Sequence, residues 1–112
     1  IMITLDKLKG FGANTEEGLA RCMNNEEFYL KMVNMGLADE RFEALGPALE
    51  SGDKDTAFEL AHALKGVLGN LSLTPIYDPF SEMTELLRAK QDADYKTMYE
   101  KAMEKRKELL DM

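Results

Sequence analysis

The chain holds a single histidine, His62, and a single cysteine, Cys22, so any chemistry that needs an imidazole rests on one side chain. Neutral imidazole is a competent nitrogen nucleophile near physiological pH, because its unperturbed pKa is about 6.5. Phe58 stands four residues before His62, and Lys65, Gly66 and Gly69 stand three, four and seven residues after it. On a helix these spacings put all five residues on one side. A flexible ammonium beside an exposed imidazole suits a site that carries a doubly negative group.

The apolar period around His62 tests that placement. Ala57, Leu60, Ala61, Leu64, Leu68 and Leu71 form the cleanest 3.6-residue repeat in the chain. With Ala57 at zero, His62 falls at about 140°, roughly 150° from the centre of that stripe, so the ring faces outward. Lys65, Phe58, Gly69 and Gly66 fall near about 80°, 100°, 120° and 180° on the same wheel. Each glycine costs about 1 kcal/mol relative to Ala within a helix. Neither faces the core, so the spacing predicts that another body comes close to this face. A helix that ends near Gly66 is the competing explanation, and the repeat running on through Leu68 and Leu71 argues against it. Phe58, an apolar ring on a face that should be polar, reads as part of the same docking surface.

One exposed histidine with no paired base and no oxyanion donor makes a poor hydrolase. Neither G-x-x-x-x-G-K-[ST] nor G-x-G-x-x-G occurs, so neither loop is present to hold ATP. An accessible histidine with open space and a cation beside it suits receiving a phosphoryl group from another protein, whose own metal and charges would stabilise the transferring group.

The rest of the composition frames this reading. At 112 residues one domain is expected, spanning 1–112. The lone cysteine excludes a disulfide framework and a multi-thiolate metal site, which fits a reducing cytoplasm. A net charge of −7 argues against nucleic acid or an anionic membrane as partner. The longest stretch free of charged residues, Gly66 to Tyr77, is 12 residues and too short to span a bilayer. Leu, Ala, Glu, Lys and Met make up 58 residues, whereas Val, Ile and Thr number 11, so the chain reads as all-α.

Leu5, Leu8 and Phe11 predict a short first helix ended by Gly10 and Gly12. Thr15 is the expected N-cap of a second, running to Met23. Asn24 with Glu27 resembles a capping box opening a third, with Phe28, Met32, Val33 and Met35 as its apolar stripe. The pattern resumes through Ala38, Phe42, Leu45 and Leu49, with a kink or break expected at Pro47. Asp53 or Asp55 caps the helix of His62. Thr74 followed by Pro75 reads as cap and first residue of the next, with Ile76, Phe80, Met83 and Leu87 inward and a mild kink at Pro79. Asp92 or Asp94 opens the last, with Tyr95, Met98, Tyr99, Ala102 and Leu109 inward and the guanidinium of Arg106 reaching water. Most methionines sit at core spacing. The run Glu104 to Glu108 reads as a solvated surface, with Glu104 pairing to Lys101 and Lys107. Short loops make neighbouring helices antiparallel, an up-and-down bundle.

The segment Ala61-His62-Ala63-Leu64-Lys65-Gly66-Val67-Leu68-Gly69-Asn70-Leu71 resembles the motif of histidine-containing phosphotransfer (HPt) domains. The likeness extends through the Leu73-Thr74-Pro75 turn and the helix order, from about Gly12 onward. It implies a four-helix bundle with a short N-terminal helical extension, the core bundle spanning about 24–111. It implies His62 as phosphoacceptor between receiver-domain aspartates, Lys65 as the cation near the phosphoryl group, and Phe58, Gly66, Gly69 and Asn70 as the docking surface. The polar side chain that orients the imidazole in some members falls near Thr84, a shorter group than the Gln found elsewhere. Pro79 is atypical for the family. Response-regulator receiver domains are the implied partners, one of them carried by a hybrid histidine kinase, with Mg on the receiver and no cofactor on this chain. A cytoplasmic monomer is expected. Ile1 precedes Met2, which fits either a natural start at Met2 or a domain cut from a larger kinase. Two other readings stand beside this one: an interaction module that binds a receiver without chemistry, and an enzyme using His62 as general base.

Overall fold

The computed structural model describes residues 3–112, so the start at Ile1 and Met2 lies outside it. Seven helices are present among the described residues, and no strand: α1 Leu5–Phe11, α2 Thr15–Arg21, α3 Glu26–Leu37, α4 Arg41–Glu50, α5 Lys54–Asn70, α6 Thr74–Arg88 and α7 Tyr95–Leu110. The all-α expectation holds. Helices α4 to α7 form a closed four-helix bundle in which α5 packs on α4 and α6, and α7 on α6 and α4. The connections are short, so successive helices run antiparallel. Helix α3 extends the first arm along the far half of α5, where Gly36 meets Val67 and Leu71. Helices α1 and α2 cover the bundle end, with Leu8 fully buried.

The core is made where the period predicted it on α5 and α6: Ala57, Ala61, Leu64, Leu68, Ile76, Phe80, Met83 and Leu87 are buried. Phe42 and Phe80 meet edge to face at 5.5 Å between ring centroids. On α3 the expected stripe holds at Val33 and in part at Met32, but not at Phe28 and Met35. Tyr29, Val33 and Leu37 are buried, while Phe28 and Met35 are 48% and 58% exposed. Both sets have helical spacing. Tyr29 wins because its hydroxyl donates to the Leu71 carbonyl at 2.8 Å while its ring packs over Gly18, where a Cβ would lie 2.5 Å from it. The methionines divide: Met83 is buried, Met32, Met98 and Met103 pack partly, and Met23, Met35 and Met112 are exposed.

Several helix ends shift by a residue. Gly10 lies inside α1, and Gly12, at φ 104°, supplies the left-handed cap. Asn14 rather than Thr15 caps α2, and Asn25 rather than Asn24 caps α3 through the Phe28 N–H. Asn24 instead takes a left-handed turn at φ 58°. The break in the first arm falls at Ala38–Glu40, where Asp39 accepts from the Arg41 N–H, and α4 continues through Pro47. Asp53 and Asp94 cap α5 and α7. Thr74 is the first residue of α6, preceded by Leu73 as cap, and the helix continues through Pro79.

Arg106 departs from its expected place. It turns inward, donates to the Leu37 carbonyl at 2.6 and 3.0 Å, and lies 4.6 Å above the Phe42 ring. It thereby satisfies a carbonyl left open at the end of α3. Lys107 pairs with Asp111 at 2.6 Å, rather than with Glu104.

Candidate functional site

Asp53 fixes the start of α5 by accepting from the Thr56 N–H at 3.1 Å, and the helix then runs without interruption past both glycines. Four core residues, Ala57, Ala61, Leu64 and Leu68, hold one side of α5 inward. His62 is consequently exposed, on the opposite side. Its ring stacks on Phe58 with centroids 5.4 Å apart and planes 13° from parallel. Phe58 therefore holds the imidazole by one face while the residue as a whole stays exposed. Among the described residues no side chain or carbonyl hydrogen-bonds to that ring.

Helix α6 supplies the charged side of the site. Lys65, with its side chain 24% exposed, pairs with Glu85 through Nζ and Oε2 at 3.2 Å. Glu85 also accepts from Arg88, at 3.2 Å from Nε and 3.5 Å from Nη2. The Arg88 guanidinium lies 4.9 Å from the centroid of Phe58. Contacts thus run in a chain from His62 to Phe58, Arg88, Glu85 and Lys65, and Lys65 stands one helical turn from His62. The Arg88 guanidinium, and then the Lys65 ammonium, hold the Glu85 carboxyl below the usual carboxylate range.

Beside the imidazole lies a shallow groove of about 270 Å³ lined by His62, Lys65, Gly66, Gly69, Asn70 and Tyr77. The two glycines in it are not alike. A Cβ on Gly66 would meet nothing within 4 Å, so the protein's own packing does not require glycine there. A Cβ on Gly69 would lie 3.1 Å from the Tyr77 ring of α6, tighter than an ordinary contact, so a side chain there would press on that ring. Neither glycine faces the core, as expected, but at Gly69 the part-exposed Tyr77 ring would have to give by a few tenths of an ångström. Asn70 is exposed at the end of α5, where Arg21 of α2 donates to the neighbouring carbonyl of Gly69 at 2.6 Å.

Thr84 does not take the role its spacing suggested. It is fully buried, and its hydroxyl donates to the Phe80 carbonyl at 2.6 Å, inside its own helix. The α6 residues that do reach the site are Tyr77, Glu85 and Arg88, none of which the sequence singled out. The spacing of Glu85 and Arg88, three apart on the polar side of α6, was the available signal.

A family model described as Hpt domain matches residues 35–112, the end of α3 and the whole of the closed bundle. No curated protein and no solved structure matches the chain. The chain belongs to the Hpt domain family, whose members are phosphocarriers of two-component signalling and interact with receiver domains. The match begins at residue 35 rather than near Gly12, leaving α1, α2 and most of α3 outside it. No described helix is long and apolar enough to cross a membrane.

Proposed function

We propose that this chain accepts a phosphoryl group on His62 from the aspartyl phosphate of one receiver domain and passes it to the aspartate of another. The observation that carries the reading is the exposed His62 ring, held by its face against Phe58, with the open space at Gly66 beside it. In the forward step the lone pair of an imidazole nitrogen forms an N–P bond. The P–O bond to the aspartate breaks, and its electron pair leaves with the carboxylate. The second receiver reverses the chemistry, with its carboxylate oxygen as nucleophile and the imidazole nitrogen as leaving group. Phosphoryl transfer of this kind needs alignment and neutralised charge more than a further catalytic base. Lys65 supplies a cation on this side, and Mg bound by the receiver supplies the rest. The proposed transfer draws its phosphoryl group from a receiver and needs no ATP bound to this chain.

Gly66 gives the receiver clearance, while Phe58, Gly69 and Asn70 border the surface it meets. The test is incubation with a phosphorylated receiver domain and Mg. Acid-labile label is expected on the wild type and absent from His62→Gln. Label that persists in His62→Gln would overturn the assignment. Unimpaired signalling by His62→Ala, together with lost receiver binding in a variant bulky at Gly66, would identify a binding module without chemistry.

A further inference from the structure

A face that is to receive a dianion carries, paired to its lysine, a carboxylate, Glu85. A phosphorylated side chain brings a charge of about −1.5 to −2, which Glu85 can only repel. Yet Glu85 contacts both cations at this face, Lys65 at 3.2 Å and Arg88 at 3.2 Å. A site built only to retain a phosphoryl group would omit that negative charge. A carrier needs something different, because what it accepts it must also release.

We infer that Glu85 is a positioning residue that holds Lys65 and Arg88 in the unphosphorylated protein and competes with the phosphoryl group for them, which sets how tightly the chain retains that group. The inference rests on His62 being the phosphoacceptor. Its geometry favours exchange of partners. The Glu85 side chain is 53% exposed, so its ion pairs are weak surface pairs that a stronger anion can displace. Lys65 stands one helical turn from His62, so its flexible stem can swing from the α6 carboxylate to a phosphoryl group on the ring without movement of either helix. Arg88 is already placed over Phe58, the ring against which His62 is stacked. When the phosphoryl group departs, Glu85 takes both cations back. Glu85 forms and breaks no covalent bond in either transfer; it acts through Lys65 and Arg88.

The test needs no receiver. Wild type, Glu85→Gln, Lys65→Met and the double variant are brought to equilibrium with phosphoramidate and ammonium at one fixed ratio. The phosphorylated fraction of His62 is then read by ³¹P NMR. Here the nitrogen–phosphorus bond of phosphoramidate breaks, ammonia leaves, and an imidazole nitrogen takes the phosphoryl group. Glu85→Gln is expected to raise the ratio of phosphorylated to free protein by about 2- to 5-fold, the scale of a released surface ion pair. Its melting temperature should stay unchanged, since the carboxylate is exposed. In the Lys65→Met background the increase should shrink, which shows that the two act together. A ratio that is unchanged or lowered in Glu85→Gln, with His62 labelled in the wild type, overturns this inference and leaves the phosphoacceptor standing. Failure to label His62 in the wild type overturns both.

Discussion

Two arginine–phenylalanine stacks, one at each side of the bundle, differ in what they are for. In the first, Arg106 lies 4.6 Å over Phe42, and its guanidinium donates twice to the Leu37 carbonyl at the end of α3, with the exposed Glu43 carboxylate more loosely paired at 3.7 Å. The Phe42 ring is fully buried and braced edge to face by Phe80. In the second, Arg88 lies 4.9 Å from Phe58, and its guanidinium is held only by an exposed carboxylate. Phe58 is half-buried, and the second ring that contacts it is the exposed imidazole of His62. The same pair of residue types locks one site and leaves the other available. What separates them is burial and whether the donors meet a backbone group that nothing else can satisfy.

That contrast gives a graded set of expected outcomes. The largest concerns the rings. Phe42→Ala removes a fully buried aromatic and should cost about 3–5 kcal/mol in chemical denaturation. Phe58→Ala should cost far less stability but lower the rate of phosphoryl transfer, since it leaves the His62 ring without its stacking partner. Equal losses of stability at the two sites would erase the distinction.

The arginines come next. Arg106→Ala leaves the Leu37 carbonyl unpartnered in a part-buried position, and about 1–3 kcal/mol should be lost. Arg88→Ala, at an exposed pair, should stay within about 0.5 kcal/mol of wild type. Thermal melts of the two proteins side by side decide the matter.

A comparable device ties α3 to α5, and pH reads it. Burial, and then the nearby Cys22, push the Tyr29 hydroxyl up from 10.0 to about 12. Its neutral form donates to the Leu71 carbonyl, so the stability it gives is complete below pH 10 and is lost as pH climbs towards 12. Urea titrations between pH 9 and pH 12 should show that loss in the wild type and a flatter profile in Tyr29→Phe.

The smallest effects belong to the glycines. Gly66→Ala, facing open space, should stabilise the fold by up to about 1 kcal/mol while slowing transfer from a receiver. Gly69→Ala should gain less stability or lose some, because the Tyr77 ring must give way. A stability gain at Gly69 equal to that at Gly66 would remove the crowding assigned to it.

Much of this molecule was legible along the chain. Helical class, the α5 and α6 stripes and the outward direction of His62 follow from 3.6-residue periodicity and short-range caps, which act within a few residues. Where caps competed at adjacent positions, as at Asn14 with Thr15 or Asn24 with Asn25, the boundary moved by one. The choice between Tyr29 and Phe28 could not be made locally, because both fit the helix and what separates them is a carbonyl 42 residues away and the space left over Gly18.

The sequence by itself determined that one imidazole would stand on the solvent side of a helix, with a lysine and two glycines on the same side. Only the tertiary structure decided that Lys65 is engaged by Glu85, that Gly69 accommodates Tyr77, that Thr84 turns away and that Arg106 closes the end of α3. The contacts of Lys65, Gly69 and Arg106 depend on the register between two helices, which also buries Thr84 and leaves its hydroxyl to its own helix. That register is set by how side chains interlock across the core, which the period of a single helix does not encode.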